Sequence, residues 1–331
     1  MQKTRRDAAK AIAAFTAAAA TAPFASLARA ADPVFPNKPV RIVVPYPPGG
    51  FNDTLGRLAA THLATLWKQP VIVDNKPGGG TVIGSQAVAT APADGHTLLV
   101  VQFPFAANPW IYKSLPYDTR TSFAPIVLAG RSPMLLVVPA ASPLRSVADL
   151  LAAAKAKPGS LNYGTSGAGS SNHLAGALFE HMAGIQLTAV PYKGSTPLLA
   201  DLAGGQVDLA FDALPHVLPF IHSGKARAIA IADAKPSPLM PALPTVSSAG
   251  VPGYEVSSWH GFVAPGATPR AVVDKINHDI NVLLQQEEVR KIFAQQGVVP
   301  DGGTPAQFQT FIEGQMALWK RVVERGHITA E

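Results

Sequence analysis

The chain has 331 residues, 47% of them hydrophobic and 15% charged, which is enough for a sizeable core and, at about 150 residues per domain, for two domains. Its 28 glycines and 31 prolines fall short of the ~25–30% that marks low-complexity disorder and indicate a globular chain with many punctuated loops. Most of the net charge of +6 sits in Lys3, Arg5, Arg6, Lys10 and Arg29 against Asp7; no later like-charge run or basic stripe interleaved with aromatics appears, which excludes nucleic acid as the expected partner.

That basic N-terminus opens an export signal. A charged segment, Lys3 to Lys10, precedes an Ala-rich apolar stretch from Ala11 to about Leu27, then the small-x-small site Ala28-Arg29-Ala30. The expectation is a cleavable signal peptide over residues 1–30, cut near Ala30, and a periplasmic product. The alternatives are an amphipathic helix or an uncleaved anchor, for which a mostly alanine stretch is weak, a span needing about 20 strongly apolar residues. The run T-R-R-D-A-A-K also resembles a twin-arginine signal. The chain has no cysteine, so disulfides, thiolate chemistry and thiolate metal ligands are excluded.

Beyond the leader, short apolar runs alternate with helical patterns. Val40–Val44 reads as a buried strand, broken by Pro45, Pro47, Pro48, Gly49 and Gly50. Leu55, Leu58, Ala59, His62, Leu63 and Leu66 then mark one face of a helix from about Asp53 to Trp67. Strand Val71–Val73, a turn at Gly78–Gly80, a short helix and strand Thr97–Val101 complete a β-α-β-α-β pattern, the signature of a parallel sheet covered by helices. A Pro-rich passage (Pro104–Pro125) interrupts before the runs I-V-L-A-G and M-L-L-V-V.

A second series follows: helix Val147–Lys157, strand Leu161–Tyr163, a helix to about Met182, strands Thr188–Val190 and Val207–Phe211, a helix near Pro215–His222 and strand Ala228–Ala232. Residues 235–254 read as loop. Helices near Pro269–Gln285 and Pro305–Arg325 close the chain. Two interruptions suit a domain inserted into another, so the expected division is 31–129 and 253–331 for the first domain and 130–252 for the second, with a hinge in the connections. The fold class expected is α/β, two domains in a periplasmic-binding-protein (Venus flytrap) arrangement, each a mainly parallel sheet flanked by helices.

Two strand-to-helix junctions carry candidate chemistry. In Y-P-P-G-G-F-N-D, residues 46–53, the glycines let a ligand approach the backbone, and a helix N-terminus favours a carboxylate or phosphate. The alternative is a tight turn with Asn52 or Asp53 as N-cap. In G-T-S-G-A-G-S-S-N-H, residues 164–173, the dinucleotide pattern fails at Asn172, the P-loop at Ser170 and the nucleophile elbow at Ala168. What survives is an anion cradle, and two such cradles facing each other across a cleft favour binding over two unrelated turns. His173 either reaches the ligand or is a half-buried helix histidine. The nine histidines form no H-E-x-x-H or H-x-H pair, so no metal site is expected. Trp67, Trp259 and Trp319 read as core. Trp110 either lines the cleft or covers the hinge. Asp208 reads as structural, and Phe51 either packs over a ligand or closes its turn.

The ordered blocks R-I-V-V-P-Y-P-P-G-G-F-N-D-T-L-G-R-L, Q-P-V-I-V-D-N-K-P-G-G-G-T-V-I-G, L-N-Y-G-T-S-G-A-G-S-S-N-H-L-A-G, V-P-Y-K-G-S-T-P-L-L-A-D-L-A-G-G-Q-V-D-L-A-F and W-H-G-F-V-A-P-G-A-T-P resemble the Bug-type extracytoplasmic solute-binding proteins, receptors of tripartite tricarboxylate transporters. The resemblance covers nearly all of residues 35–325. It implies a two-domain receptor that closes on a small carboxylate, held by Gly49, Gly50, Asn52 and Asp53 and by Thr165, Ser166, Gly167, Gly169 and Ser170. Tyr46, Gln102, Tyr192 and Asp212 would line the cleft. Phe51 stands where the family's loop is often small, and Ser248 where P-T-x-x-E-x-G is usual.

The expected function is therefore a periplasmic receptor, monomeric and not an enzyme, that captures a di- or tricarboxylate, amino acid or aromatic acid without a cofactor and delivers it to membrane permease subunits. A receptor serving a sensor kinase is the alternative. An exported hydrolase using Ser166 or Ser170 with His173 is a third reading, opposed by the failed elbow.

Overall fold

The computed structural model describes residues 35–167, 170–237 and 239–326. The expected signal peptide over residues 1–30, with the cleavage expected near Ala30, and Gly169 lie outside the described residues.

Chain order begins with β1 (Val40–Val44), α1 (Phe51–Trp67), β2 (Val71–Asn75), α2 (Val82–Ala89) and β3 (Thr97–Gln102). Both crossovers are helical and the pairings are parallel, Val40 opposite Val71 and Arg41 opposite Thr97. The apolar runs explain this: Ile42, Val43, Val44 and Leu98–Val100 are fully buried, as strands covered by helices must be. Gly56 lets α1 lie close on β1, since a Cβ there would stand 2.8 Å from Val44 Cγ2.

Next come α3 (Pro104–Ile111), β4 (Phe123–Pro139), α4 (Val147–Ala156), β5 (Asn162–Thr165), α5 (Ser171–Ala183), β6 (Thr188–Pro191), α6 (Ser195–Ala203), β7 (Leu209–Ala213), α7 (Leu214–His222) and β8 (Ala226–Ile231). The chain ends with β9 (Ser257–Pro265), α8 (Arg270–Gln285), α9 (Glu287–Gln295), β10 (Val299–Gly302) and α10 (Pro305–Gly326). β5 pairs in parallel with β6 and β7, the second crossover series.

Strand order is β2-β1-β3-β9-β4-β7-β5-β6, with β8 and β10 also pairing β4. β4 joins everything. Over residues 123–133 it runs antiparallel to β9, and from Met134 it runs antiparallel to β7 and β8. Its two apolar halves are one strand, because Pro133 falls where the ladder changes partners and its missing N–H costs least. The antiparallel pairings around β4 join the two parallel series. One apolar cluster, including Phe103, Leu136, Tyr163, Phe179, Phe211 and Trp319, extends beneath both series.

Candidate functional site

A cavity of about 900 Å³ opens where both parallel series end. From the first it is lined by the β1–α1 loop with Tyr46, Gly49, Gly50, Phe51 and Asn52, by Gly78, Gly80 and Thr81, and by Gln102. From the second come Ser166, Ser170–Asn172, Lys193–Thr196, Asp212, Ala213, Pro215 and His216, and β4 and β9 add Ser132, Ser258 and His260. The N-terminal ends of α1, α5, α6 and α7 therefore open on one space, and each presents backbone N–H groups without intrahelical partners.

The first loop is held from behind. Asp53 Oδ2 accepts from Gly49 N at 3.1 Å and Arg57 Nε at 2.9 Å, while Oδ1 accepts from Asn75 Nδ2 at 3.0 Å. Asn75 also donates to Tyr46 O. Burial opposes charge on Asp53, but the hydrogen bonds from Arg57, Asn75 and Gly49 prevail and hold its pKa below the usual carboxylate value. Asp53 is not among the lining residues; it shapes the loop. With the folded-state pKa depressed, its contribution is present at neutral pH and is lost as pH falls through the carboxylate range. Asp53→Ala is expected to cost about 1–2 kcal/mol at pH 7 through lost hydrogen bonds. Urea unfolding should show that difference shrinking below about pH 4, where carboxylates protonate.

A polar chain crosses the cavity wall. His260 Nδ1 donates to Asn52 Oδ1 at 2.8 Å, Asn52 Nδ2 to Gln102 Oε1 at 3.3 Å, and Gln102 Nε2 to Ser258 Oγ at 3.1 Å. Gln102 and His260 are register partners across β3 and β9, and the strand period of two puts Ser258 on the same face as His260. Burial, with a smaller contribution from the positive charge of His216, lowers the His260 pKa to about 3. The imidazole is neutral, and with its proton on Nδ1 it presents a lone pair at Nε2.

On the opposite side, Asp212 ends β7. Its Oδ1 accepts from Ala213 N at 2.7 Å and faces His216 Nδ1 at 2.8 Å. Desolvation works against a charged His216, but the Asp212 carboxylate and hydrogen bond outweigh it and raise its pKa. Ser166 Oγ donates to Asn172 Oδ1, and Asn172 Nδ2 donates to Phe211 O at 2.6 Å. Ser170 caps α5 by accepting from His173 N at 3.3 Å.

Of the residues singled out from sequence, the cavity gathers Tyr46, Gly49, Gly50, Phe51, Asn52, Gln102, Ser166, Ser170 and Asp212. Thr165, Gly167, His173 and Tyr192 are not among its lining residues. Thr165 carries the turn, its Oγ1 accepting from Gly167 N and its carbonyl from Tyr192 N. The Tyr192 hydroxyl is engaged with Asp201. The Phe51 ring packs edge-on against His260 and Phe293, 4.5 and 5.0 Å between centroids, and is core. Asp208 accepts from Asn162 N, a structural bond. Trp67, Trp259 and Trp319 are buried. Among the described residues no group of three or more His, Asp or Glu is placed to hold a metal, and no helix is long and apolar enough to cross a membrane.

Sequence reasoning missed Ser132, His260, Ser258 and the Lys193–Thr196 turn. Ser132, Ser258 and His260 are polar residues in otherwise buried strands, which is itself a signal. Lys193 supplies the cation that the two Gly-rich loops lack, and Gly194 (φ 111°) sits at the α6 N-cap.

Residues 55–328 match the tripartite tricarboxylate transporter family receptor. BugT of Bordetella pertussis is 37% identical over 291 residues, 87% of this chain and 89% of that protein. Rpa4515 of R. palustris, solved with adipate, is 38% identical with a TM-score of 0.81, covering 89% of this chain and 99% of that one. MatC (Rpa3494) of Rhodopseudomonas palustris, solved with bound malate, is 30% identical with a TM-score of 0.78, covering 87% and 100%. The fold is that of the two-domain periplasmic solute-binding proteins, and the chain belongs to the receptor family of the tripartite tricarboxylate transporters.

Proposed function

We propose that the protein, exported to the periplasm, captures a small carboxylate in this cavity and presents it to permease subunits of a tripartite tricarboxylate transporter. The observation that carries the reading is the convergence of four helix N-termini, from both crossover series, on one cavity. Unpaired N–H groups and the positive ends of helix dipoles favour an anion, and Lys193 adds a full charge at the rim. The relatives solved with adipate and malate agree with that chemistry. The lobes, 31–129 with 253–331 and 130–252, would close about β4, where it exchanges β9 for β7, and contacts from the second lobe would be gained only on closure. Ser166 donates to Asn172 rather than to a histidine, which speaks against Ser166 as a hydrolase nucleophile.

The test is a thermal-shift screen of the mature protein, stripped of ligand, against small carboxylates. A ligand at about 100 times its Kd adds ~2.7 kcal/mol, a rise of about 5 °C at roughly 2 °C per kcal/mol. Gly50→Ala identifies the cradle. A Cβ there meets no protein atom within 4 Å and the φ of −87° suits any residue, so the loss of stability should be no more than about 1 kcal/mol, the scale of alanine replacing glycine at a helix N-cap. The space it fills belongs to solvent or ligand, and affinity should fall at least tenfold. A flat screen of folded, empty protein overturns the reading.

A further inference from the structure

His216 stands on the cavity wall as the ionisable partner of a buried acid. Both residues line the cavity, but the His216 side chain is 42% exposed and that of Asp212 only 3%. They meet at 2.8 Å, Nδ1 to Oδ1, across the junction of β7 and α7. Burial leaves the Asp212 charge little water to screen it. The pair is therefore negative when the imidazole is neutral and carries no net charge when it is protonated.

Asp212 is the one acid among the described lining residues, and it opposes what the helix N-termini favour. The first turn of α7 holds His216 directly after its N-cap, Ala213, and the next residue in. A carboxylate drawn to the cavity by the unpaired N–H groups meets a repelling carboxylate or a neutralised pair, according to the proton on His216. Desolvation works against that proton, and the Asp212 carboxylate outweighs it.

The other ionisable residues of the cavity do not change charge near neutral pH. Burial, with the charge of His216, holds the His260 pKa at about 3, and burial raises the Tyr46 and Tyr112 hydroxyls above the usual phenol value. Lys193 supplies a cation from the turn before α6. Of the elements packed on α7, α6 engages Asp201 with Tyr192, β8 turns Arg227 to the carbonyls of Ala140 and Ser142, and β4 pairs Arg131 with Asp301. Asp233, after β8, has a pKa raised to about 7 by burial but does not line the cavity.

We propose that His216 makes ligand capture proton-linked: a carboxylate held in the cavity brings a proton onto His216, so that binding is strongest at acidic pH and weakens as pH rises. This rests on the carboxylate-receptor reading and deepens it. The coupling is reciprocal, the ligand favouring the imidazolium as the imidazolium favours the ligand. Affinity is full below the His216 pKa of the free protein, falls above it, and levels off above the higher pKa of the complex.

Calorimetric titration of the mature wild-type protein, freed of ligand, uses succinate, malate, adipate, glutamate and benzoate as probes, whose carboxyl groups titrate near pH ~4. For each acid that binds, Kd should rise at least about fivefold between pH ~6.5 and pH ~9, and the heats in two buffers of different ionisation enthalpy should reveal proton uptake within that window. His216→Asn should bind at every pH as weakly as wild type does at the alkaline end, with no proton uptake. A merely structural His216 would instead lower affinity by the same factor at every pH and keep the slope. Asp212→Asn, which removes the repelling charge, should bind tighter than wild type at the alkaline end; should it not fold, the wild-type and His216→Asn profiles still decide. Binding that is flat with pH in the wild type, or a slope that survives in His216→Asn and so belongs to another group such as Asp233, would overturn the inference and leave the carboxylate reading standing. No binding by any probe would overturn both.

Discussion

Asn172→Leu is expected to lower both the stability of the protein and its affinity for ligand. The side chain is 1% exposed and serves two partners: Nδ2 donates to Phe211 O and Oδ1 accepts from Ser166 Oγ. β5 pairs β7 only as far as Gly164 opposite Ala210. Asn172 takes the next carbonyl and so extends the sheet's hydrogen bonding by one residue past its edge. Leucine keeps the approximate shape and removes both bonds, stranding a carbonyl in the interior. Each unsatisfied buried group costs about 1–3 kcal/mol, and the hydroxyl can turn elsewhere, so the loss should be about 2–4 kcal/mol. At roughly 2 °C per kcal/mol the Tm should drop by about 4–8 °C. The three tethered segments all line the cavity, at Ser166, Ser170–Asn172 and Asp212, so calorimetry at a temperature where the variant is folded should also show weaker binding. A variant that melts lower but binds as tightly as wild type would reduce Asn172 to a folding residue.

The same position shows what sequence can and cannot tell. Asn172 entered the sequence reading only as the residue that spoils a dinucleotide motif, whereas in the folded protein it ties the second cradle to the strand that carries Asp212. The cradles themselves were legible, because glycine clusters between an apolar run and a helical period have few other uses. Gln102 is placed by resemblance and Asp212 both by resemblance and by its position at the C-terminal end of a strand, and the cavity gathers both. His260 was not found, because its role depends on Asn52, 208 positions away, and one buried imidazole in a strand has no local signature. Asp53 shows the opposite confusion: an acid beside a Gly-rich loop reads as a ligand group, yet all its bonds point backward to Gly49, Arg57 and Asn75.

At the level of the fold, the parallel crossovers were visible because buried strands are short apolar runs flanked by glycine and proline. The elements that escaped break local rules. α3 lies in the Pro-rich passage and keeps Pro109 inside it, where a proline argues against helix. β4 passes straight through Arg131-Ser132-Pro133, which reads as a gap between two strands. α9 follows α8 after the single residue Gln286, and β9 and β10 find their partners far away in sequence, β9 on β3 and β4 and β10 on β4. Long-range antiparallel pairing leaves little local trace beyond alternation, and the polar residues of β9 disturb even that.

Trp319→Ala should be the most destabilising of these changes while sparing ligand affinity. α10 packs on α3, β4 and α5, and Trp319 is its fully buried anchor, with Phe103 edge-on at 4.3 Å. The cluster around it holds Val101 and Phe103 from the first crossover series, and Tyr163, Phe179 and Phe211 from the second. Truncating a buried tryptophan costs about 3–5 kcal/mol, or roughly 6–10 °C of Tm at about 2 °C per kcal/mol. The indole Nε1 has no partner, so the whole loss is packing, and Trp319→Phe should recover most of it. Trp319 is not among the residues lining the cavity. Calorimetry well below the transition should therefore give the wild-type Kd, in contrast to Asn172→Leu. If Trp319→Ala instead weakens binding as much as it weakens folding, the apolar cluster beneath both series sets their relative position, and the energy of closing on the ligand is stored there as well as in the cavity.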